Sequence, residues 1–141
     1  MSFDLKIVAG DLKIENGNLA TLRGKDKLAQ DLVKIATTEL GANPLHSWYG
    51  SMVSSSLIGS PLPREITDNV AQSQLQNAID ILKELQTLQA STGQKMTADE
   101  QISYIQGISI QRSDQDMRVL KVFIKVLTKA FGTVNVSFNP Q

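Results

Sequence analysis

The sequence predicts an α+β domain, and three observations carry that prediction. Two stretches repeat apolar residues at helical spacing, the C-terminal third alternates apolar and polar residues at a period of two, and short extended runs flank Asn16-Gly17 near the start. Helices followed by alternating strands give an α+β order. The expected architecture is an N-terminal hairpin, two main helices, a short helix and a C-terminal antiparallel strand meander packed on the helices. One domain covers residues 1–141.

The elements follow in chain order. In "DLKIENGNLATLRG" (11–24) the Asn-Gly dipeptide tolerates the positive φ angles of a type I′ turn, so a small hairpin is expected. "DLKI" occurs at 4–7 and again at 11–14. Two four-residue copies are too short to be a structural repeat and read as chance or as two adjoining strand pieces.

From Lys25 to Leu40 the residues Leu28, Leu32, Ile35, Ala36 and Leu40 share one helical side, and Gly41 suits the helix end. A longer helix is expected to enter at Pro61 and Pro63 and to run to Ala90. Its main stripe is Ile66, Val70, Ala78, Ile81, Leu85 and Leu88; Leu75, Ile79 and Leu82 widen the arc, which implies more than one neighbour.

Thr97 followed by Glu100 has the reciprocal pattern that opens a helix, here a short one over 98–104. Strands are then expected at 104–112, 117–130 and 133–141, with a polar turn at 113–116. Leu120, Val122, Ile124 and Val126 form an apolar face, and Lys121, Phe123 and Lys125 belong to a partly wet one. "TVNVSF" (133–138) alternates cleanly, and Pro140 marks its stop.

Composition limits function. The 141 residues are 41% hydrophobic, which suits a single core, and 14 basic side chains balance 14 acidic ones. A general nucleic-acid binder needs a basic surplus, so no nucleic-acid partner is expected. Cysteine is absent, which excludes disulfides and thiolate metal sites. Asp4 and Asp11 interrupt the first apolar positions, so no signal-peptide run is read there, and no stretch approaches the about 20 apolar residues of a membrane helix. No membrane partner is expected either.

The sequence carries none of the usual catalytic groupings. His46 is the only histidine, neither G-x-S-x-G nor G-x-x-x-x-G-K-[ST] occurs, and Asp99 with Glu100 or Asp114 with Asp116 fit a helix start and a polar turn. The expectation is a non-enzyme with no catalytic, cofactor-binding or metal-binding residue.

"ELGANPLHSWYGS" (39–51) concentrates the only Trp, the only His and one of two Tyr in a connection. The rings either close the end of the core or form a recognition loop. Core closure is expected for Trp48 and exposure for Tyr49.

In order, these motifs resemble one family. Gly10-Asp11-Leu12, the Thr and Gly ending the first helix, Tyr49-Gly50-Ser51, Ile58-Gly59 and the run from Thr97 to Ile102 are similar to the baseplate-wedge and sheath-initiator family of contractile phage tails, historically labelled lysozyme-like. The likeness spans nearly the whole chain. Many family members carry a Glu-Arg or Glu-Pro-Arg element after the first helix, where this chain has Ala42-Asn43-Pro44.

The resemblance implies a virion component of the tail baseplate that links wedge proteins to the first sheath ring, initiates sheath assembly, and is put together in the host cytoplasm. Its implied partners are other wedge proteins and the tail sheath protein, with tail tube or hub proteins as further candidates; related contractile injection systems use similar components. Candidate partner-binding residues are Asn43, Pro44 and Tyr49 in the loop and Val134, Asn135, Val136, Ser137 and Phe138 in the terminal strand. The alternatives are a small carboxylate-dependent hydrolase and a stand-alone adaptor that uses the long amphipathic helix.

Overall fold

Three consecutive heptads, DLKIVAG, DLKIENG and NLATLRG, occupy residues 4–24, and their described residues form three equivalent pieces of one ring. A computed structural model of the protein describes residues 3–8, 11–51, 64–93, 95–112 and 120–138. Each heptad contributes two strands of two residues: β1 (Asp4–Leu5) and β2 (Ile7–Val8), β3 (Asp11–Leu12) and β4 (Ile14–Glu15), β5 (Asn18–Leu19) and β6 (Thr21–Leu22). β2 pairs with β3, β4 with β5, and β6 returns to β1.

The central residue of each heptad closes the ring. Lys6 N–H donates to the Ala20 carbonyl at 2.8 Å, Lys13 N–H to Lys6 at 3.0 Å, and Ala20 N–H to Lys13 at 2.8 Å. Every central amide is thereby satisfied although no strand exceeds two residues. The hairpin expected at Asn16-Gly17 is the β4-β5 pair, one of three pairings in this pseudo-threefold arrangement, and the doubled "DLKI" is part of a real repeat. Asn16 and Gly17 do adopt positive φ, 52° and 79°, between β4 and β5.

Helix α1 (Gly24–Thr37) follows at once and buries Leu28, Leu32, Ile35 and Ala36. It ends earlier than Leu40, because Thr38 turns extended. Gly41, with φ of 86°, serves a turn in which Ala42 N–H donates to Glu39, not the helix end. Helix α2 is described over Arg64–Ser91; the expected proline entrance at 61–63 lies outside the described residues.

On α2 the core takes Ala71, Leu75, Ala78, Ile79 and Leu82, while Ile66, Val70 and Leu88 are exposed. Apart from Ala78, the stripe expected to be central is therefore the rim of the arc, and the residues expected to widen it are its middle. Packing decides this: α2 is in contact with both α1 and β7.

A single 3-10 turn, Ala98–Glu100, replaces the expected longer helix, with Glu100 Oε2 accepting from Thr97 N–H at 3.2 Å. Strand β7 (Ile102–Arg112) begins immediately after it, followed by β8 (Leu120–Thr128) and β9 (Thr133–Phe138). They form an antiparallel meander in the order β7-β8-β9; the expected polar turn at 113–116 lies outside the described residues. α1 packs over β9 and α2 over β7. Val122, Ile124 and Val126 face the helices and are buried, whereas Lys121 and Lys125 face outward.

Buried polar groups fix the junctions. Gln86, 3% exposed on α2, donates to the Glu100 carbonyl at 2.9 Å and accepts from Ile102 N–H at 2.9 Å. Without it the backbone between the 3-10 turn and β7 would be buried with unmet hydrogen bonds.

Candidate functional site

Strand β9 is the outer strand of the meander, and its register determines which of its groups face outward. Thr128 N–H donates to the Gly132 carbonyl at 2.8 Å, so these two residues form a hydrogen-bonded pair at the hairpin. Such pairs alternate along an antiparallel ladder. With Val126 opposite Val134 and Ile124 opposite Val136, the backbone groups of Val134, Val136 and Phe138 point at β8. Those of Thr133, Asn135 and Ser137 point away from the sheet, and no strand lies beyond them among the described residues.

Side chains follow the same alternation. Val134, Val136 and Phe138 are buried under the helices, whereas Thr133, Asn135 and Ser137 are exposed. Of the five candidate partner residues in this strand, three thus belong to the core, and Asn135 and Ser137 remain available at the edge. Thr133 joins them, a residue the sequence reading passed over although the same period of two marks it.

A groove of about 700 Å³ runs along this edge. It is lined by Asn135 and Ser137 of β9, by Ala29 and Val33 of α1, and by Lys6 and Ile7 of the ring. Gln30 of α1 bonds the ring at three points. Gln30 donates to Asp4 Oδ2 at 3.0 Å and to the Leu5 carbonyl at 2.8 Å, and accepts from Ile7 N–H at 3.0 Å.

Charge reinforces the attachment. Lys34 pairs with Asp4 and lies 3.7 Å from Asp31, which in turn pairs with Lys27 at 3.0 Å. Burial pushes the Asp31 carboxyl up despite Lys27 and Lys34. At Lys34 the carboxylates of Asp4 and Asp31 outweigh partial burial and raise the ammonium pKa. Lys6 makes no ion pair among the described residues.

The loop 39–51 forms a second surface. Its ends are tied together: Ser51 N–H donates to Thr38 at 2.9 Å, Leu40 N–H to Ser51 at 3.2 Å, and the Ser51 hydroxyl to Ala36 at 2.6 Å. Gly50 makes that closure possible, since a Cβ there would lie 2.6 Å from the Thr38 carbonyl oxygen at a φ of 119°. Asn43 Oδ1 accepts from Leu45 N–H at 3.0 Å, and Asn43 and Pro44 are exposed.

The aromatic assignment is reversed relative to the sequence expectation. Trp48 is 44% exposed and touches the ring edges of His46 and Tyr49, while Tyr49 is half-buried and packs on the core. Burial raises the Tyr49 phenol against the opposing charge of Lys34. The physical reason is the tie at Ser51: it draws its near neighbour Tyr49 against α1 and leaves Trp48 on the outer side of the turn.

Among the described residues no three His, Asp or Glu side chains gather as a metal site, and no helix is long and apolar enough to cross a membrane. The groove beside β9 thus combines outward-facing backbone groups, apolar side chains and the Lys6 ammonium. Comparison with protein families, with curated proteins and with solved structures finds no match for this chain.

Proposed function

We propose that this protein is a structural component of a contractile phage tail baseplate that links wedge proteins to the first sheath ring and starts sheath assembly. The observation that carries the reading is the outer edge of β9, where Thr133, Asn135 and Ser137 present backbone groups with no strand beyond them. An open edge of this kind accepts a strand from another subunit, and main-chain hydrogen bonds supply the affinity. The order of motifs from Gly10 to Ile102 supplies the identity of the partner, a sheath strand.

Wedge proteins are assigned to the loop, where Asn43, Pro44 and Trp48 are exposed. This loop has no arginine, so its contact is apolar and hydrogen-bonded in character. The activity is binding, with no catalytic step.

Electron microscopy of tails carrying Asn135→Pro or Ser137→Pro tests the reading. Each proline removes a donor that faces away from β8, so the three-stranded sheet keeps its own bonds. Baseplates should assemble with sheaths missing or truncated. Full-length sheaths on both variants would sink the reading, as would absence of this chain from purified particles by mass spectrometry.

A second reading, a stand-alone adaptor, draws on Ile66, Val70 and Leu88, exposed along one side of α2. Capture of an isolated amphipathic helix by the wild type, lost in Val70→Glu, would favour it.

A further inference from the structure

We infer that the three-heptad ring is the second jaw of the β9 groove, selecting an extended partner segment with alternating aliphatic side chains and a carboxylate placed to meet Lys6. This rests on strand acceptance at β9 and adds to it the role of the ring and the chemistry of the strand.

The geometry sets the pattern of the segment. A strand paired with the six residues of β9 spans about 20 Å and continues the pleat of the sheet. Its alternate side chains therefore enter the same layer as Val134, Val136 and Phe138, beneath α1. There they meet Ala29 and Val33, two apolar residues that pack on the core yet stay partly exposed in the groove. Both are short, so the space in front of them suits branched aliphatic side chains.

The ring supplies the remaining lining. Its Ile7 N–H is bonded to Gln30, and Gln30 also holds Asp4 and Leu5, so the ring segment that carries Lys6 and Ile7 is anchored to α1 beside the groove. Lys34 is occupied by Asp4 and Asp31, whereas Lys6, which also lines the groove, makes no direct ion pair among the described residues and feels only the exposed Glu15 carboxylate, itself bound by Lys13. A carboxylate on the incoming strand would complement it, whereas an ammonium would be repelled.

The test uses the full chain and fluorescein-labelled peptides of about ten residues. They alternate Val with Thr and carry Asp, Asn or Lys at each polar position in turn, with binding read by fluorescence anisotropy. At one position Asp should bind about 3-fold tighter than Lys, the range of an exposed charge pair. Lys6→Glu should reverse that order and Lys6→Gln abolish it. Asn135→Pro should weaken every peptide by about 5-fold or more, the effect of a lost main-chain hydrogen bond; Ser137→Pro repeats this measurement if Asn135→Pro fails to fold. Val33→Arg should weaken the Val-rich peptides as well.

Other results overturn the inference in distinguishable ways. Sensitivity to the prolines with indifference to Val33→Arg and Lys6→Glu removes the jaw but keeps strand acceptance. Binding that ignores both prolines, or no binding by any peptide, removes strand acceptance at β9 with it. A wild-type dimer in analytical ultracentrifugation that dissociates on Asn135→Pro assigns the edge to a second copy and overturns the partner segment.

Discussion

Gln30 Nε2 lies 3.0 Å from Asp4 Oδ2, and this contact joins α1 to the ring. The same amide group also bonds the Leu5 carbonyl and the Ile7 N–H, so one helix residue satisfies three groups of the ring. Gln30→Ala should lower stability by about 1–3 kcal/mol, since the three bonds act on one partly buried side chain. Hydrogen exchange of the Lys6, Lys13 and Ala20 amides should quicken while that of Leu32 and Ile35 stays slow. Unchanged exchange in the ring would show that α1 does not hold it through this residue.

The same contact makes ring docking sensitive to acid. Partial burial raises the Asp4 carboxyl, but the hydrogen bond and charge of Lys34, with Gln30 and the Leu5 amide, carry it below its ordinary value of 3.8. A carboxyl lowered in the folded state stabilises it above the unfolded value and loses that contribution as pH falls through the folded value. Ring amides should therefore begin to shift below pH 3.8 in NMR spectra. Asp31 has the opposite sign, since burial raises it and protonation relieves that penalty. Asp4→Asn should remove the acid response of the ring; an unchanged response would assign it elsewhere.

Pseudo-symmetry makes a third prediction sharp. Lys13 and Ala20 occupy the same position in successive heptads, yet Lys13 is exposed and Ala20 is 7% exposed. Ala20→Lys would restore the repeat and bury an ammonium or force the ring outward, at a cost of about 2 kcal/mol or more. Lys13→Ala should change stability by less than about 0.5 kcal/mol, as surface substitutions do. Equal effects in chemical denaturation would contradict the different placement of the two positions.

In the aromatic loop, Tyr49→Ala should cost about 2 kcal/mol, scaled down from a fully buried ring because Tyr49 is half-buried. Trp48→Ala should cost less than about 1 kcal/mol, as a largely exposed side chain does. Thermal melts of both variants decide it. A larger loss for Trp48 would return the loop to the arrangement that composition alone suggests.

The period of two in "TVNVSF" determined the burial of β9 residue by residue, because alternate side chains of a strand must take opposite faces. Leu28, Leu32 and Ile35 were equally legible on α1, since helical spacing leaves one line for the core. The ring was written in the sequence as well, in glycines at 10, 17 and 24. Its copies have drifted, with Ala20 for Lys and Thr21 for Ile, and closure depends on the Lys6 bond to Ala20, fourteen residues away by their numbers. Local pattern does not show such a bond.

Tertiary structure decided what local pattern left degenerate. The wide apolar arc of α2 admits several orientations, and contact with α1 and β7 chose the one that buries Leu75 and Ile79 and exposes Val70. The tie at Ser51 chose Tyr49 over Trp48 for the core. The candidate site depended most on this level: alternation separates Asn135 and Ser137 from Val134, Val136 and Phe138, but only the Thr128 to Gly132 bond fixes which way their amides point. A strand's side-chain faces are set by its own pleat, whereas its free edge exists only once its neighbours are in place.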